Sequence, residues 1–273
     1  MSAKISIIVP VFNAASQLAR CLDALQRTIS SSVPVIIIDD ASTDPKVDAV
    51  IAPYADRWRV IRHAENAGFV VSANRGMREA GANDVVLLNS DTIPAGLWLE
   101  QVQRCADSDP AIASITPWSN NGEIVSLPKF CQAAAVPGQP ERWAEACAIG
   151  SPAYPDLPTA VGFCMYLRRR CLEQIGDFDA QTFGHGYGEE NDWCMRASAV
   201  GWRHVLCDSA FVAHEGNASF AALGLQPGQA SMQRLLAKHP DYLQQVQRFI
   251  QEDPLDEARR RVMTAMARNR SSD

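Results

Sequence analysis

The chain has 273 residues, a formal net charge of -6 and a pI near 5.4, long enough for one large α/β domain or two smaller ones around a substantial core. This acidic balance argues against a nucleic-acid binder, whose phosphate contacts need a clustered basic surface, and only Arg259, Arg260 and Arg261 form a locally basic run. Eight scattered cysteines contain no CxxC pair, so neither a zinc site nor a disulfide framework is signalled, and no apolar run reaches the roughly 18 residues of a membrane-spanning helix. The opening MSAKISIIVPVFN enters a strand rather than a signal peptide, and the expectation is a reduced, cytoplasmic protein.

Residues 4–9 (KISIIV) form an apolar run closed by Pro10, after which Leu18, Leu22 and Leu25 recur at helical spacing. Residues 35–38 (VIII) predict a second strand that runs into Asp39 and Asp40, followed by a helix over 45–52 with Pro45 in its first turn. Residues 59–62 (RVIR) read as a third strand, followed by a loop holding Gly68 and a helix through Asn74 to Glu79. Residues 84–88 (DVVLL) read as a fourth, ending in Asn89, Ser90 and Asp91. These are continuous apolar runs, the mark of a parallel sheet covered by helices on both faces and hence of an α/β fold.

The second half is less regular. Residues 111–115 read as a strand, and 117–158, rich in Pro, Asn, Gly and Ala, as long loops with one short helix near 141–148. Residues 161–167 (VGFCMYL) predict a strand, 189–200 a helix, and 205–212 a strand ending near His214. From 230 onward the pattern is helical, broken at Pro240 and Pro254.

Polar residues fall at the carboxyl ends of the first four strands: Asn13, then Asp39 and Asp40, then Asn66, then Asn89 with Asp91. In an open parallel sheet ligands bind beyond these ends. Each residue alone reads equally well as a helix cap or a turn former; together they point to a site. No GxGxxG or GxxxxGK[ST] loop is present, which argues against a dinucleotide or P-loop nucleotide site. If a nucleotide binds, a metal must handle its phosphates.

The segments IIVPVFN, IIIDDAST, ENAGFVVSANRG, LLNSDTIP and GYGEENDWCMRA, in this order and at these spacings, resemble a family 2 glycosyltransferase of the GT-A fold. The resemblance covers about the first four-fifths of the chain, ending near HEGNASF. GYGEEND with a downstream His-x-Gly is similar to bacterial enzymes that build rhamnose-containing surface polysaccharides. It implies a Rossmann-like, mostly parallel central sheet flanked by helices. A GT-A domain over 1–220 would divide into a nucleotide-sugar-binding half (1–116) and an acceptor-binding, catalytic half (117–220), with a C-terminal helical extension over 221–273.

The resemblance also implies residue roles. Transfer from a nucleotide-diphosphate sugar passes through an oxocarbenium-like state, so the departing diphosphate needs its charge neutralised. The acidic motif that binds a divalent ion in the family reads Asn89-Ser90-Asp91 here, leaving Asp91 as its only carboxylate, with His214 as a further ligand. Mg²⁺ tolerates one or two carboxylates plus phosphates and waters, and an imidazole shifts the preference toward Mn²⁺. Asp40 is the carboxylate expected to bond the pyrimidine, with Pro10 and Phe12 lining the base pocket and Asn66 and Asn74 beside the diphosphate and ribose. An acceptor-only carboxylate suits the N3–H of uracil or thymine, so the donor is expected to be UDP- or dTDP-linked.

Inverting transfer needs one base for the acceptor hydroxyl. The family supplies it from a carboxylate pair at a helix start, here Glu189 and Glu190, with Glu190 in a place usually held by Asp. Asp192 is the competing base, and it equally suits an i,i+4 ion pair with Arg196. Glu189 reads as structural or acceptor-facing. Trp118, Asn120 and Tyr187, with the glycines of the 184–188 loop, carry the aromatic and amide groups expected at a glycan or lipid-linked glycan acceptor, although Trp118 also reads as a core residue. The C-terminal helices suit packing on the domain, a second subunit, or a membrane surface at the inner face, packing being the default. Two other classes stay open: a sugar nucleotidyltransferase, against which VFNAASQLAR offers no glycine-rich basic loop, and an inactive nucleotide-sugar-binding module, against which Glu190 argues.

Overall fold

The computed structural model describes residues 4–184, 186–216 and 229–270. His185, residues 217–220 of the HEGNASF motif and the expected domain boundary at 220 lie outside these residues. In chain order the strands are β1 (Ile5–Val11), β2 (Val35–Asp39), β3 (Arg59–Arg62), β4 (Asp84–Leu88), β5 (Thr92–Pro94), β6 (Ile112–Trp118), β7 (Cys164–Leu167) and β8 (Arg203–His214). The helices are α1 (Ala15–Thr28), α2 (Lys46–Ile51), α3 (Phe69–Glu79), α4 (Trp98–Ser108), α5 (Pro140–Cys147), α6 (Arg169–Ile175), α7 (Ala180–Phe183), α8 (Glu189–Ser198), α9 (Gln229–Lys238), α10 (Tyr242–Glu252) and α11 (Asp256–Arg270).

The strands form one eight-stranded sheet in the order β3-β2-β1-β4-β7-β6-β8-β5. β1 to β4 are mutually parallel, as their unbroken apolar runs require, and β6 pairs parallel with β8. β7 enters antiparallel between β4 and β6, and β5 pairs antiparallel with the end of β8. The sheet is thus mixed in its second half, and β6 runs on through Trp118, three residues beyond the stretch its sequence suggests.

Alternation along β1 separates two cores. Ile5, Ile7, Val9 and Val11 pack with Leu18, Leu22 and Leu25 of α1 and with residues of α2, α4, α5 and α11. Ile8 faces the opposite layer with Val70, Ala73 and Met77 of α3, Trp193 of α8 and Leu235 of α9. Helix α3 lies against the sheet so closely that a Cβ on Gly76 would stand 2.3 Å from Ile8 Cγ2, which explains a glycine in a helix interior. The C-terminal helices belong to both cores, through Leu235 and Tyr242 on one face and Leu255, Val262 and Met266 on the other. Among the described residues, no helix is long and apolar enough to cross a membrane.

Candidate active site

Beyond the carboxyl ends of β1, β2 and β4 lies a cavity of about 270 Å³. The sheet itself builds one side of it. β5 pairs with β8 so that Thr92 stands opposite His214, which sets Asp91, one residue earlier, beside the imidazole. The Glu215 N–H reinforces this by donating to the Asp91 carbonyl at 3.0 Å. His214 Nδ1 lies 2.7 Å from the carbonyl oxygen of Asn121, which can only accept, so this nitrogen carries a proton. Nε2 is thereby turned toward Asp91 Oδ1, 3.4 Å away, and the ring stacks on Phe163 with centroids 5.2 Å apart. Burial lowers the proton affinity of His214, but the adjacent Asp91 outweighs it and the net shift is upward.

At the β2 end Asp40 is buried. Its Oδ1 accepts from the Ala67 N–H at 2.8 Å and lies 3.1 Å from His63 Nδ1, while among the described residues Oδ2 accepts from the Gly68 N–H alone, at 2.8 Å, and keeps acceptor capacity. Pro10, Phe12, Asn66, Asn89 and Ser90 line the same cavity. Asp39 is turned away from it, receiving the Ser42 N–H and the Arg62 guanidinium.

The other side comes from the start of α8. Gly188 precedes this helix at φ 96°, in the left-handed region, and a Cβ there would stand 3.0 Å from Phe183 Cε1, so both conformation and space call for glycine. The turn delivers Tyr187, Glu189 and Glu190 to the cavity. Oε2 of each glutamate is buried without a hydrogen-bond partner. Burial pushes the Glu190 carboxyl up to about 7, opposed by the N–H groups of Glu190 and Gly188 and assisted by the charge of Glu123. Glu189 is raised well above the ordinary range, by burial and then by the charge of Glu190.

Four expected site residues are not brought to the cavity. Trp118 is fully buried within β6 and stacks in the core rather than on a ligand, because the strand continues through it. Asn120 is spent on the backbone: its Nδ2 donates to the carbonyls of Ala134 and His214, and its Oδ1 accepts the His214 N–H. Asn74 bonds Phe178 through both its groups, tying α3 to the segment before α7. Asp192 is fully buried behind the site, with Arg196 Nε at 2.9 Å, His239 Nε2 at 2.8 Å and Lys238 Nζ at 2.7 Å. A carboxylate enclosed by three basic side chains has no free face for an acceptor proton, so its placement corrects the reading of Asp192 as a base.

Conversely, the cavity recruits residues that the sequence reading passed over. Ser72 lies one turn into α3 with its Oγ buried and unpartnered, and Phe163 supplies the ring under His214. Glu123 stands in a loop whose only outward signal was its run of small and amide residues.

The model for the family described as "Glycosyl transferase family 2" matches residues 6–176. Among curated relatives, glycosyltransferase YibD of Escherichia coli K12 is 33% identical over 90 residues, covering 32% of this chain and 26% of that protein. The putative glycosyltransferase EpsH of Bacillus subtilis 168 is 28% identical over 107 residues, covering 38% and 31%. The chain therefore spans about a quarter to a third of the length of these two relatives. The fold is shared with GalNAc-T7, solved with UDP, GalNAc and Mn²⁺ (TM-score 0.61, 15% identity, 78% of this chain and 43% of that one). It is shared also with the mannosyltransferase PcManGT of Pyrobaculum calidifontis, solved with GDP-Man and Mn²⁺ (TM-score 0.58, 14% identity, 100% and 76%). A family match across well over half of the sequence, on a sheet that gathers the motif residues of β1, β2 and β4 around one cavity, establishes that the chain belongs to glycosyl transferase family 2.

Proposed function

We propose that the protein transfers a sugar, with inversion at the anomeric carbon, from a UDP- or dTDP-sugar to a hydroxyl of a glycan or lipid-linked glycan acceptor. Its role would be in surface-polysaccharide assembly, which rests on the likeness of GYGEEND and its downstream histidine. One observation carries the reading. The cavity holds Glu190, with an unpartnered Oε2 and a carboxyl raised to about 7, together with the Asp91–His214 pair.

The cavity wall offers five carboxylates and one imidazole, and no Lys or Arg lines it among the described residues. Among the described residues only His214 in the wall could carry positive charge toward a departing diphosphate, which supports a divalent cation, Mg²⁺ or Mn²⁺, as cofactor. The residues fit such an ion: an imidazole whose Nδ1–H is committed to a backbone carbonyl presents its other nitrogen to a carboxylate neighbour, the arrangement usual for a ligating histidine. Among the described residues no group of three or more His, Cys, Asp or Glu forms a self-sufficient metal site, which suits an ion completed by phosphate oxygens and water. When bound, the cation would supply charge neutralisation to the leaving diphosphate.

The chain's own residues do the rest. Asp40 Oδ2 accepts the N3–H of uracil or thymine, a contact that the acceptor N3 of cytosine cannot make. GalNAc-T7 was solved with UDP and PcManGT with GDP-Man, so the shared fold alone does not choose the base, and the choice is assigned to Asp40. Glu190 takes the acceptor proton, and its raised affinity matches a base working near neutral pH.

The test is to incubate the protein with a panel of nucleotide sugars and Mn²⁺ or Mg²⁺ and measure release of the nucleoside diphosphate, with EDTA as control. Release from uridine or thymidine donors only, abolished by EDTA, is expected. Metal-independent release, or binding without release, overturns the reading in favour of a different catalyst or an inactive binding module.

A further inference from the structure

The acceptor side of the cavity carries a charge pattern with a consequence for substrate choice. Glu123, Glu189 and Glu190 face this space from two separate elements, and the charge of Glu123 acts on Glu190 and on Tyr187 across it. Glu189 lines the cavity while only 4% exposed, and its buried Oε2 has no hydrogen-bond partner among the described residues. Glu123 adopts φ 51°, a region that favours glycine over a residue with a side chain. Its loop is firmly held: Gly122 N–H donates to Ser126 Oγ at 3.1 Å, Val125 N–H to the Gly122 carbonyl at 2.9 Å, and the Asn121 carbonyl is tied to His214. The loop therefore holds the backbone of Glu123, whose side chain is exposed, at the cavity that Glu189 and Glu190 also line.

Resting on the reading of Glu190 as the base, we propose that Glu123, Glu189 and Glu190 form an acceptor subsite. It takes a neutral or amine-bearing sugar and rejects one with a carboxylate or phosphate next to the attacked hydroxyl. Sugar hydroxyls and ammonium groups are donors, and they satisfy the orphaned carboxylate oxygens. An anionic substituent would meet three acidic side chains and, among the described residues, no Lys or Arg on the wall, a repulsive arrangement that excludes it.

The experiment measures diphosphate release from the donor with Mn²⁺ in the presence of methyl glucoside, methyl glucosaminide and methyl glucuronide, and the matching galacto series. Neutral and amino sugars should stimulate release, with the uronides weaker by about tenfold or more in kcat/KM. Glu123→Gln should raise the KM for amino and neutral sugars and narrow the discrimination, and Glu123→Lys should shift the preference toward uronides. Donor affinity measured by calorimetry should be the same in both variants, and thermal melting confirms that they fold. Equal stimulation by uronides, an unchanged preference in Glu123→Lys, a loss of donor affinity in the Glu123 variants, or no stimulation by any sugar each overturns the subsite. Failure of the underlying reading shows differently, as undiminished transfer by Glu190→Gln in an enzyme whose acceptor preference still follows Glu123.

Discussion

A base is useful only if it is ionised when the acceptor arrives, and the environment of Glu190 sets that condition. With its carboxyl near 7, transfer should fall as pH drops below about 7, because the protonated form cannot accept the acceptor's proton. Glu190→Gln keeps size and polarity while removing basicity, so we expect donor binding to survive and transfer to fall by roughly 10² to 10⁴-fold. The same substitution should increase stability at alkaline pH. A carboxyl whose folded affinity is raised above its unfolded value of roughly 4.3 favours the folded state when protonated, and that contribution is lost as pH rises through about 7. At pH 8 the variant should therefore melt above the parent, by an equivalent of about 1 to 3 kcal/mol, and the gap should close toward pH 4. A gap independent of pH would show that Glu190 is not held in a desolvated site. At the opposite wall, Asp91→Ala should weaken nucleoside-diphosphate binding in Mn²⁺ and leave it nearly unchanged in EDTA, with His214→Ala milder because phosphates and waters supply most ligands. Equal losses under both conditions in calorimetry would remove the metal from the assignment.

At the level of elements, the site depends on one short pairing. The three-residue β5 fixes Asp91 against His214, and Asn120 clamps the backbone of His214 from the other edge by accepting its N–H and donating to its carbonyl. Asn120→Ala leaves these buried groups unsatisfied and should lower stability by about 1 to 3 kcal/mol. If the clamp positions the imidazole, the variant should also lose Mn²⁺-dependent nucleotide affinity at a temperature where it remains folded; unchanged affinity would reduce Asn120 to a loop staple. This pairing also marks where the sequence stops being legible. Pro10, Phe12, Asp40, Asn66 and Asp91 could be located because β1, β2, β3 and β4 are parallel, so their carboxyl ends all open on one side. Their apolar runs announce them locally. β7 and β5 are held by antiparallel partners distant in sequence, and no local pattern specifies those registers. For the same reason only the core reading of Trp118 holds, since β8 extends the pairing through it, while Asn120 lies past the strand with its amide bonded to the backbone of His214 and Ala134. The run of small and amide residues around it did not single out Glu123, since its position depends on a backbone turn that a glutamate does not ordinarily favour.

Taken as a whole, the molecule supports the carboxylates of α8 from behind with its C-terminal helices. Asp192, two residues beyond Glu190 on α8, is the joint: its carboxylate meets Lys238 at the end of α9, His239 just after it and Arg196 one turn along its own helix. Lys238 extends the link to Asp179 and lies over the Phe183 ring, so the network reaches the segment from which the Gly188 turn departs. Leu235 and Tyr242 fill the core layer beside it, and the C-terminal helices thus brace α8 rather than hang from the domain. An exposed i,i+4 pair would contribute only a few tenths of a kcal/mol. A fully buried carboxylate with three basic partners is another matter, and because Arg196 and Lys238 are themselves partly exposed we expect Asp192→Ala to lose about 2 to 4 kcal/mol. The pH dependence identifies the cause. Burial alone would raise the Asp192 carboxyl, but hydrogen bonds from Lys238, His239 and Arg196 outweigh it and hold it below the ordinary range. A depressed carboxylate stabilises the fold above its unfolded value of roughly 3.9, and that contribution is lost as pH falls through the folded value. Melting curves of parent and variant should stay widely separated from pH 8 down to about pH 4 and converge below it. A separation that does not narrow at all as pH falls below about 4 would attribute the loss to packing, and an Asp192→Ala protein that melts with its parent but cannot transfer sugar would return this residue to the chemistry.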